Sequence, residues 1–328
     1  MGISVHLLTV GAEMFGAEVD TLRLLGGYFD NVYAYEREGK QFVLKMLPLT
    51  PERVGVLRAQ LEFVHYLADH AVRVSKPVPS SQGHLVEIIE TDETVFGVTS
   101  FEMVRGRHID VECPREWNAR LFHEWGRIAG RIHALTKRYE PACDTARAPD
   151  WQHQFRLMAR RCRDNGDTEP LQKSQQLCQT LQGLPSSAEC YGLIHCDLQP
   201  GNFLVNDAEV TVIDFDECAY HWFVNDIAVA LYHARWGWPE NGYHEEREEG
   251  FSRRFLDSFM AGYRQENRLA GYWLKELPTF LEYRRLHLFL SALAVYNRNP
   301  KAWRSWRPWF KEKRKAILQD VPVVDIEF

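Results

Sequence analysis

Residues 191–216 read YGLIHCDLQPGNFLVNDAEVTVIDFD. Three short apolar runs, Leu193-Ile194, Phe203-Leu204-Val205 and Val210-Thr211-Val212-Ile213, are β-like and separated by turns. Among them stand three polar groups: Asp197, Asn202 five residues later, and Asp214 between an apolar strand and Phe215. A carboxylate can orient a hydroxyl and accept its proton. An amide oxygen and a second carboxylate are hard donors that suit Mg²⁺ on phosphates. Phosphoryl transfer needs that set, and no Cys/His cluster in the sequence competes as a site for a softer metal.

Upstream of this segment, the first hundred residues read as mostly β. Strands are expected at 21–26 and 32–37, joined by the turn-rich Gly27–Asn31, and at 41–47 after the Glu38-Gly39-Lys40 turn. Thr50 is a candidate N-cap with Pro51 at the first helical position, and Val54, Leu57, Leu61, Val64 and Leu67 carry a helix to about Asp69. Two more strands follow near 84–90 and 95–104. After Arg105-Gly106 the period becomes helical: Leu121, Trp125, Ile128, Ala129, Ile132 and Leu135 share one face of 115–136. Residues 151–182 also look helical, interrupted near Asn165-Gly166, and the chain beyond Asn225 is mainly helical. A β-rich unit at 1–105 followed by a helical one at 106–328 is the expected organisation.

The segment from His195 to Asp214 resembles the catalytic loop of the aminoglycoside-phosphotransferase family, which includes choline and homoserine kinases of similar fold. Like protein kinases, that family uses H-x-D-x-x-x-x-N followed by an Asp-Phe-x element. The resemblance implies an α+β, bilobal, protein-kinase-like fold: an N-terminal five-stranded antiparallel sheet plus helix, then a mainly helical C-terminal lobe. It implies ATP and Mg²⁺ as cofactors, Asp197 as catalytic base, Asn202 and Asp214 as metal ligands, and His195 as a structural brace for the loop. Asp226, in NDIAVAL, resembles the buried Asp that hydrogen-bonds the catalytic-loop backbone. Two positions depart from the family pattern: Cys196 stands where Gly is usual, and Gln199 where a second His is usual.

A kinase also needs a Lys for the α- and β-phosphates and a helix Glu to hold it. Lys45 in FVLKM alternates with Val43 and Leu47, and its candidate partner is Glu62 on the following helix. Glu52 competes, but its first-turn position is explained by the helix dipole. Gly26 and Gly27, by resemblance, lie in the loop over the phosphates. Neither a full G-x-G-x-x-G nor a Walker loop is present. Phe101-Glu102-Met103-Val104 is the implied linker: the Glu102 and Val104 backbone would meet the purine edge, and Val32, Val43, Leu204 and Ile213 would sandwich its faces. As side chains alone, these four read equally as core.

Bulk numbers set outer bounds. The 328 residues suit two lobes, and 45% hydrophobic residues is ordinary for a globular protein. A formal charge of −6 offers no global field for nucleic acid. Seven cysteines without C-x-x-C spacing read as reduced thiols in a cytoplasmic protein. The N-terminus lacks a basic n-region, residue 6 is His where myristoylation wants Ser or Thr, and no run approaches a membrane span. The implied partner is a small-molecule acceptor, an aminoglycoside, amino alcohol or homoserine-like compound, for a monomer or dimer without nucleic-acid or membrane partners. A cationic acceptor is compatible with the acidic residues after Asp214, where Asp216 and Glu217 are better placed than the 240–249 acidic run, which reads mainly as a solvated helix face. Protein Ser/Thr phosphorylation is the runner-up, against which stands the lack of an A-P-E element. A catalytically silent nucleotide-binding scaffold is the third alternative. Trp303, Trp306 and Trp309 at spacing three read as one packed helix face with Arg and Lys outside. His123, His133, His221, His233 and His287 show no ligand spacing and read as core or surface residues.

Overall fold

The computed structural model describes the chain except residues 1–2, 28–29, 93, 142–147, 154, 158–159, 161–167, 208, 237–248, 297–299, 325 and 327–328, and except the side chains of 168, 294–296 and 300–305. Two compact units emerge. The first is Met1–His108 with Arg138–Ala148 and Leu204–Asp216; the second is Ile109–Lys137, Pro149–Phe203 and Glu217–Phe328.

The first unit is built on an antiparallel sheet with the path β1 (Glu18–Gly26), β2 (Val32–Arg37), β3 (Lys40–Leu49), β6 (Val95–Glu102), β4 (Pro77–Val78), and with β5 (Glu87–Glu90) also paired to β6. The sheet therefore has six strands, not the expected five. The extra one is the two-residue β4, whose Pro77 cannot donate to a ladder and hides the strand from a reading by propensity. The period of two in β3 sorts its side chains. Phe42, Leu44 and Met46 point into a core with Ala12, Phe15, Tyr35, Val78 and Val98. Val43, Lys45 and Leu47 therefore take the other face, where Leu47 packs with Val54, Leu57 and Leu61 of α2 (Pro51–Asp69). Pro51 occupies the first helical position as expected, but Thr50 makes no side-chain cap bond.

An unexpected helix, α1 (Val5–Met14), opens the chain. Ser4 caps it by accepting the Leu7 N–H, and Gly11 lets it sit close on the sheet: a Cβ there would lie 3.3 Å from both Met46 and Val98. The first unit is completed by a hairpin of β8 (Phe203–Asn206) and β9 (Glu209–Val212), tied to the chain by bridges Arg107–Val205 and Val74–Val212.

In the second unit, α3 (Ala119–Thr136) packs tightly on α6 (Phe251–Glu266); between them in chain order come α4 (Thr168–Gln182) and α5 (Phe223–Trp236). Glycines make this approach. A Cβ on Gly126 would meet the Phe259 carbonyl oxygen at 1.9 Å, and one on Gly262 the His123 carbonyl oxygen at 1.9 Å. Trp125, Phe203, Phe255 and Phe259 fill the seam with edge-on and tilted rings. The helices α7 (Leu277–Tyr296) and α8 (Pro300–Leu318) close the unit. Trp309 is buried and stacks on Phe289 of α7, with Trp306 edge-on to it, so these two tryptophans pack as the sequence suggests. The Trp303 side chain and residues 240–248 of the acidic run lie outside the described residues. Among the described residues no helix is long and apolar enough to cross a membrane.

Candidate active site

Strand β7 (Tyr191–Ile194) pairs antiparallel with β10 (Ala219–Trp222) in the second unit and delivers His195, Cys196 and Asp197 at its end. Asp226, on the first turn of α5, holds that end. Its Oδ1 accepts the Cys196 N–H at 2.8 Å and its Oδ2 the His195 N–H at 3.2 Å. His133 Nε2 lies 3.1 Å from the same Oδ2, which leaves His133 Nδ1 to accept the Tyr263 hydroxyl at 2.8 Å; that hydroxyl accepts from Asn267. Burial alone would push the Asp226 carboxyl up, but the His133 hydrogen bond, the polar imidazoles of His133 and His195 beside it, and the Cys196 N–H outweigh it and hold the carboxyl below the usual range.

The loop then turns through Asp197. The Asp197 N–H donates to His195 Nδ1 at 3.2 Å, so the buried His195 ring braces the backbone of the next-but-one residue. Gln199 caps the short 3₁₀ turn Pro200–Asn202 by accepting the Gly201 N–H at 2.6 Å. The departure from His at 199 is thus a backbone cap. Asn202 Nδ2 donates to the Asp197 carbonyl at 2.8 Å and to Asp197 Oδ2 at 2.7 Å. Sequence reasoning missed the second partner of this carboxylate: Arg284 Nη2 forms an ion pair with Asp197 Oδ1, and the same guanidinium donates to His233 Nε2. These partners lie 87 and 51 residues away from Arg284 in sequence, and no local spacing signals them.

Cys196 has φ 63, the left-handed region that Gly enters freely and other residues enter at a cost. Its side chain is buried with Sγ near the Ala219 carbonyl, and burial, with Asp226 adding to it, pushes the thiol up, so it stays protonated. Cys196→Gly is expected to keep the fold and the turnover, because it relieves strain where the family residue stood. Cys196→Val is expected to lose about 2 kcal/mol of stability, because a β-branched residue fits that conformation poorly. Urea denaturation of the two variants checks both; a Val variant as stable as the parent contradicts the strain.

In the first unit, Lys45 does not pair with Glu62. Its ammonium lies 2.8 Å from Asp214 Oδ1 and 2.7 Å from Asp216 Oδ2, while Glu62 Oε2 is buried without a hydrogen-bond partner among the described residues. Both aspartates reach the Lys face of β3, which accounts for the exchange. Burial by itself pulls Lys45 down, but Asp216 and Asp214 outweigh it and hold the ammonium well above its usual range. Asp216 keeps 36% of its side chain exposed, yet the protein atoms around its carboxyl push it up; Lys45 opposes this and the neighbouring Asp214 adds to it. Asp214 has φ 60, a conformation that Asp tolerates better than most residues. Phe215 packs edge-on to Phe63 of α2, and Gln60 Nε2 donates to the Asp216 carbonyl at 2.9 Å, so α2 fixes the Asp-Phe-Asp element.

The nucleotide-binding candidates also belong to the first unit. Gly26 ends β1, and Gly27 has φ 94 with Asn31 and Val32 so near that a Cβ would meet them at 2.5 and 2.8 Å. Val32 is opposite Lys45, and Val43 is opposite Phe101. The Glu102 N–H donates to the Lys76 carbonyl at 2.9 Å, and its carbonyl accepts the Ser75 hydroxyl at 3.1 Å; the Val104 N–H has no partner among the described residues. Leu204 and Ile213 are half-buried.

Residues 21–272 match the family model described as "Phosphotransferase enzyme family". Amicoumacin kinase of Bacillus subtilis (strain 168) is 31% identical over 285 residues, covering 87% of this chain and 83% of that protein. A solved amicoumacin kinase in complex with AMP-PNP, Ca²⁺ and Ami superposes with a TM-score of 0.84 at 27% identity, covering 98% of this chain and 95% of that one. A microcompartment-associated aminopropanol kinase gives a TM-score of 0.70 at 22% identity over 98% of this chain, a likeness of fold. The family model spans well over half of the sequence, and the segment from His195 to Asp214 lies inside it: the chain belongs to the APH phosphotransferase family.

Proposed function

We propose that this phosphotransferase moves the γ-phosphate of ATP, held with Mg²⁺, to a hydroxyl of a small amine-bearing molecule, with Asp197 taking the hydroxyl proton. The observation that carries the proposal is the Asn202–Asp197 pair. Asn202 spends its Nδ2 on Asp197 Oδ2 at 2.7 Å, and its Oδ1 makes no hydrogen bond among the described residues. One amide then orients the base and offers a hard oxygen to a cation at once.

The residues present suit a divalent ion. Asp214 and Asp216 bring two carboxylates around one ammonium, a donor set that matches an ion completing its shell with phosphate oxygens and water. Asn202 and Asp214 would hold Mg²⁺, which supplies charge neutralisation on the phosphates when bound. Lys45 would turn from the aspartates toward the α- and β-phosphates. Gly26 and Gly27 would cover the phosphates. The Val104 N–H and the Glu102 carbonyl would meet the purine edge, with Val32, Val43, Leu204 and Ile213 against its faces and Phe101 leading into the linker. His195 and Asp226 would keep the loop in place without touching substrate. Glu62, whose Oε2 has no hydrogen-bond partner among the described residues, would receive Lys45 once the aspartates turn to the cation.

For the acceptor, amine-bearing alcohols lead, because the relatives above are named as kinases of amicoumacin and of aminopropanol. The test is ADP release from ATP–Mg²⁺ over a panel: amicoumacin, 1-amino-2-propanol, choline, homoserine, two aminoglycosides and casein. The expected result is acceptor-dependent release with at least one amine-bearing alcohol and none with casein. Transfer to casein alone, or no acceptor-dependent release anywhere on the panel, overturns the proposal.

A further inference from the structure

Arg284 sits in the middle of α7 with 3% of its surface exposed. A guanidinium so placed has lost its water and needs a counter-charge. Among the described residues its one carboxylate partner is Asp197. Its neighbour Arg285 is equally buried but is served by Glu282 and by the Val321 carbonyl, away from the catalytic loop. The other end of the Arg284 fork is also fixed. Nε and Nη2 both point at His233 Nε2, at 3.1 and 2.7 Å, so that nitrogen carries no proton and accepts. His233 lies on α5, the helix that begins with Asp226. One helix therefore supports the catalytic loop twice, by Asp226 from below its backbone and by His233 through Arg284.

We propose that Arg284 is a positioning residue for phosphoryl transfer, resting on the assignment of Asp197 as base. A carboxylate held at one oxygen can still swing about its Cβ–Cγ bond. Here Asn202 holds Oδ2 and Arg284 holds Oδ1, so the plane of the carboxylate is set from both sides. A planar fork serves this better than an ammonium, because it can engage Asp197 and His233 together in one plane. Arg284 acts through Asp197. Its loss should appear in the rate of the transfer step and not in the affinity for ATP.

Arg284→Met, Arg284→Lys and Asp197→Asn are compared in the full-length chain, with the acceptor that gives the fastest turnover on the panel above and with thermal melts as a check on folding. Arg284→Met is expected to lower kcat about 100-fold, the scale of a misplaced catalytic group, with KM for ATP changed less than about threefold. Arg284→Lys, which keeps the charge but not the fork, is expected to recover about tenfold of that loss. A folded Met or Lys variant with wild-type kcat overturns the proposal, as does a Met variant whose defect lies in KM for ATP. Failure of both variants to fold makes Arg284 a structural residue and also overturns it. Turnover retained by Asp197→Asn removes the base assignment itself. An inactive Asp197→Asn beside a fully active Arg284→Met removes only the role of Arg284.

Discussion

Asp197→Asn is expected to lower kcat on the order of 10³-fold while KM for ATP stays within about threefold. The substitution changes little in shape. An amide oxygen can still accept from Arg284 Nη2, and the side chain keeps its place above the Pro200–Asn202 turn. It loses the charge, and with it the capacity to take a proton from an attacking hydroxyl. It also sets an amide nitrogen against Asn202 Nδ2, or turns its oxygen there and sets the nitrogen against Arg284; either way one donor faces another. The buried guanidinium is left without its counter-charge, so a modest loss of stability, about 1–3 kcal/mol, should accompany the loss of turnover. Steady-state kinetics at saturating acceptor, with a denaturation curve for each protein, separate the two effects. A variant that turns over at the parental rate would show that Asp197 is not the base.

The alternation in QFVLKML was enough to put Lys45 on the face opposite Leu44 and Met46, and Pro51 with the helical spacing beyond it was enough to place α2. The H-x-D-x-x-x-x-N spacing singled out Asp197 and Asn202, but their mutual hydrogen bonds, closed across the Pro200-Gly201 turn, are seen only in the structure. The losses have physical causes. Helix α1 was missed because its apolar run is short and Gly11 reads as a breaker, whereas in the fold Gly11 is what allows the helix to approach Met46 and Val98. The seam of α3 and α6 was visible as Gly126 and Gly130, four apart on one helix face, with Gly262 opposite, and this small-residue spacing went unread. That Lys45 lies on Asp214 and Asp216 in this structure was not legible, because helical position points to Glu62 while proximity to the Asp-Phe-Asp element depends on how β9 enters it. His133, His233 and Arg284 carry no local signal. Their meaning comes from contacts 93, 51 and 87 residues away, and as single letters they are ordinary buried side chains.

Asp226→Ala should produce the largest loss of stability among single changes around the loop, about 3–5 kcal/mol, the range for removing one partner from a buried charged network. Asp226 is 1% exposed and accepts from two successive backbone N–H groups and from His133. Without it, the Cys196 N–H and His133 lose a buried acceptor, and the left-handed backbone at Cys196 loses the bond that holds it there. The pH dependence gives this prediction a signature that a simple cavity would lack. The Asp226 carboxyl is held below its usual range in the folded state. Its contribution is therefore complete above the ordinary carboxylate pKa of about 4 and is lost as pH falls through the depressed folded value. Urea denaturation from pH 7 down to pH 3 should then show the gap between parent and Asp226→Ala constant near neutrality and narrowing below about pH 4. Asp226→Asn should fall between the two, since its oxygen can still accept one N–H while its amide nitrogen opposes the other. A gap that stays the same down to pH 3 would mean that Asp226 supports the loop by packing and not as an anion, and that the ionised network from Asn267 through His133 does not set the position of Asp197.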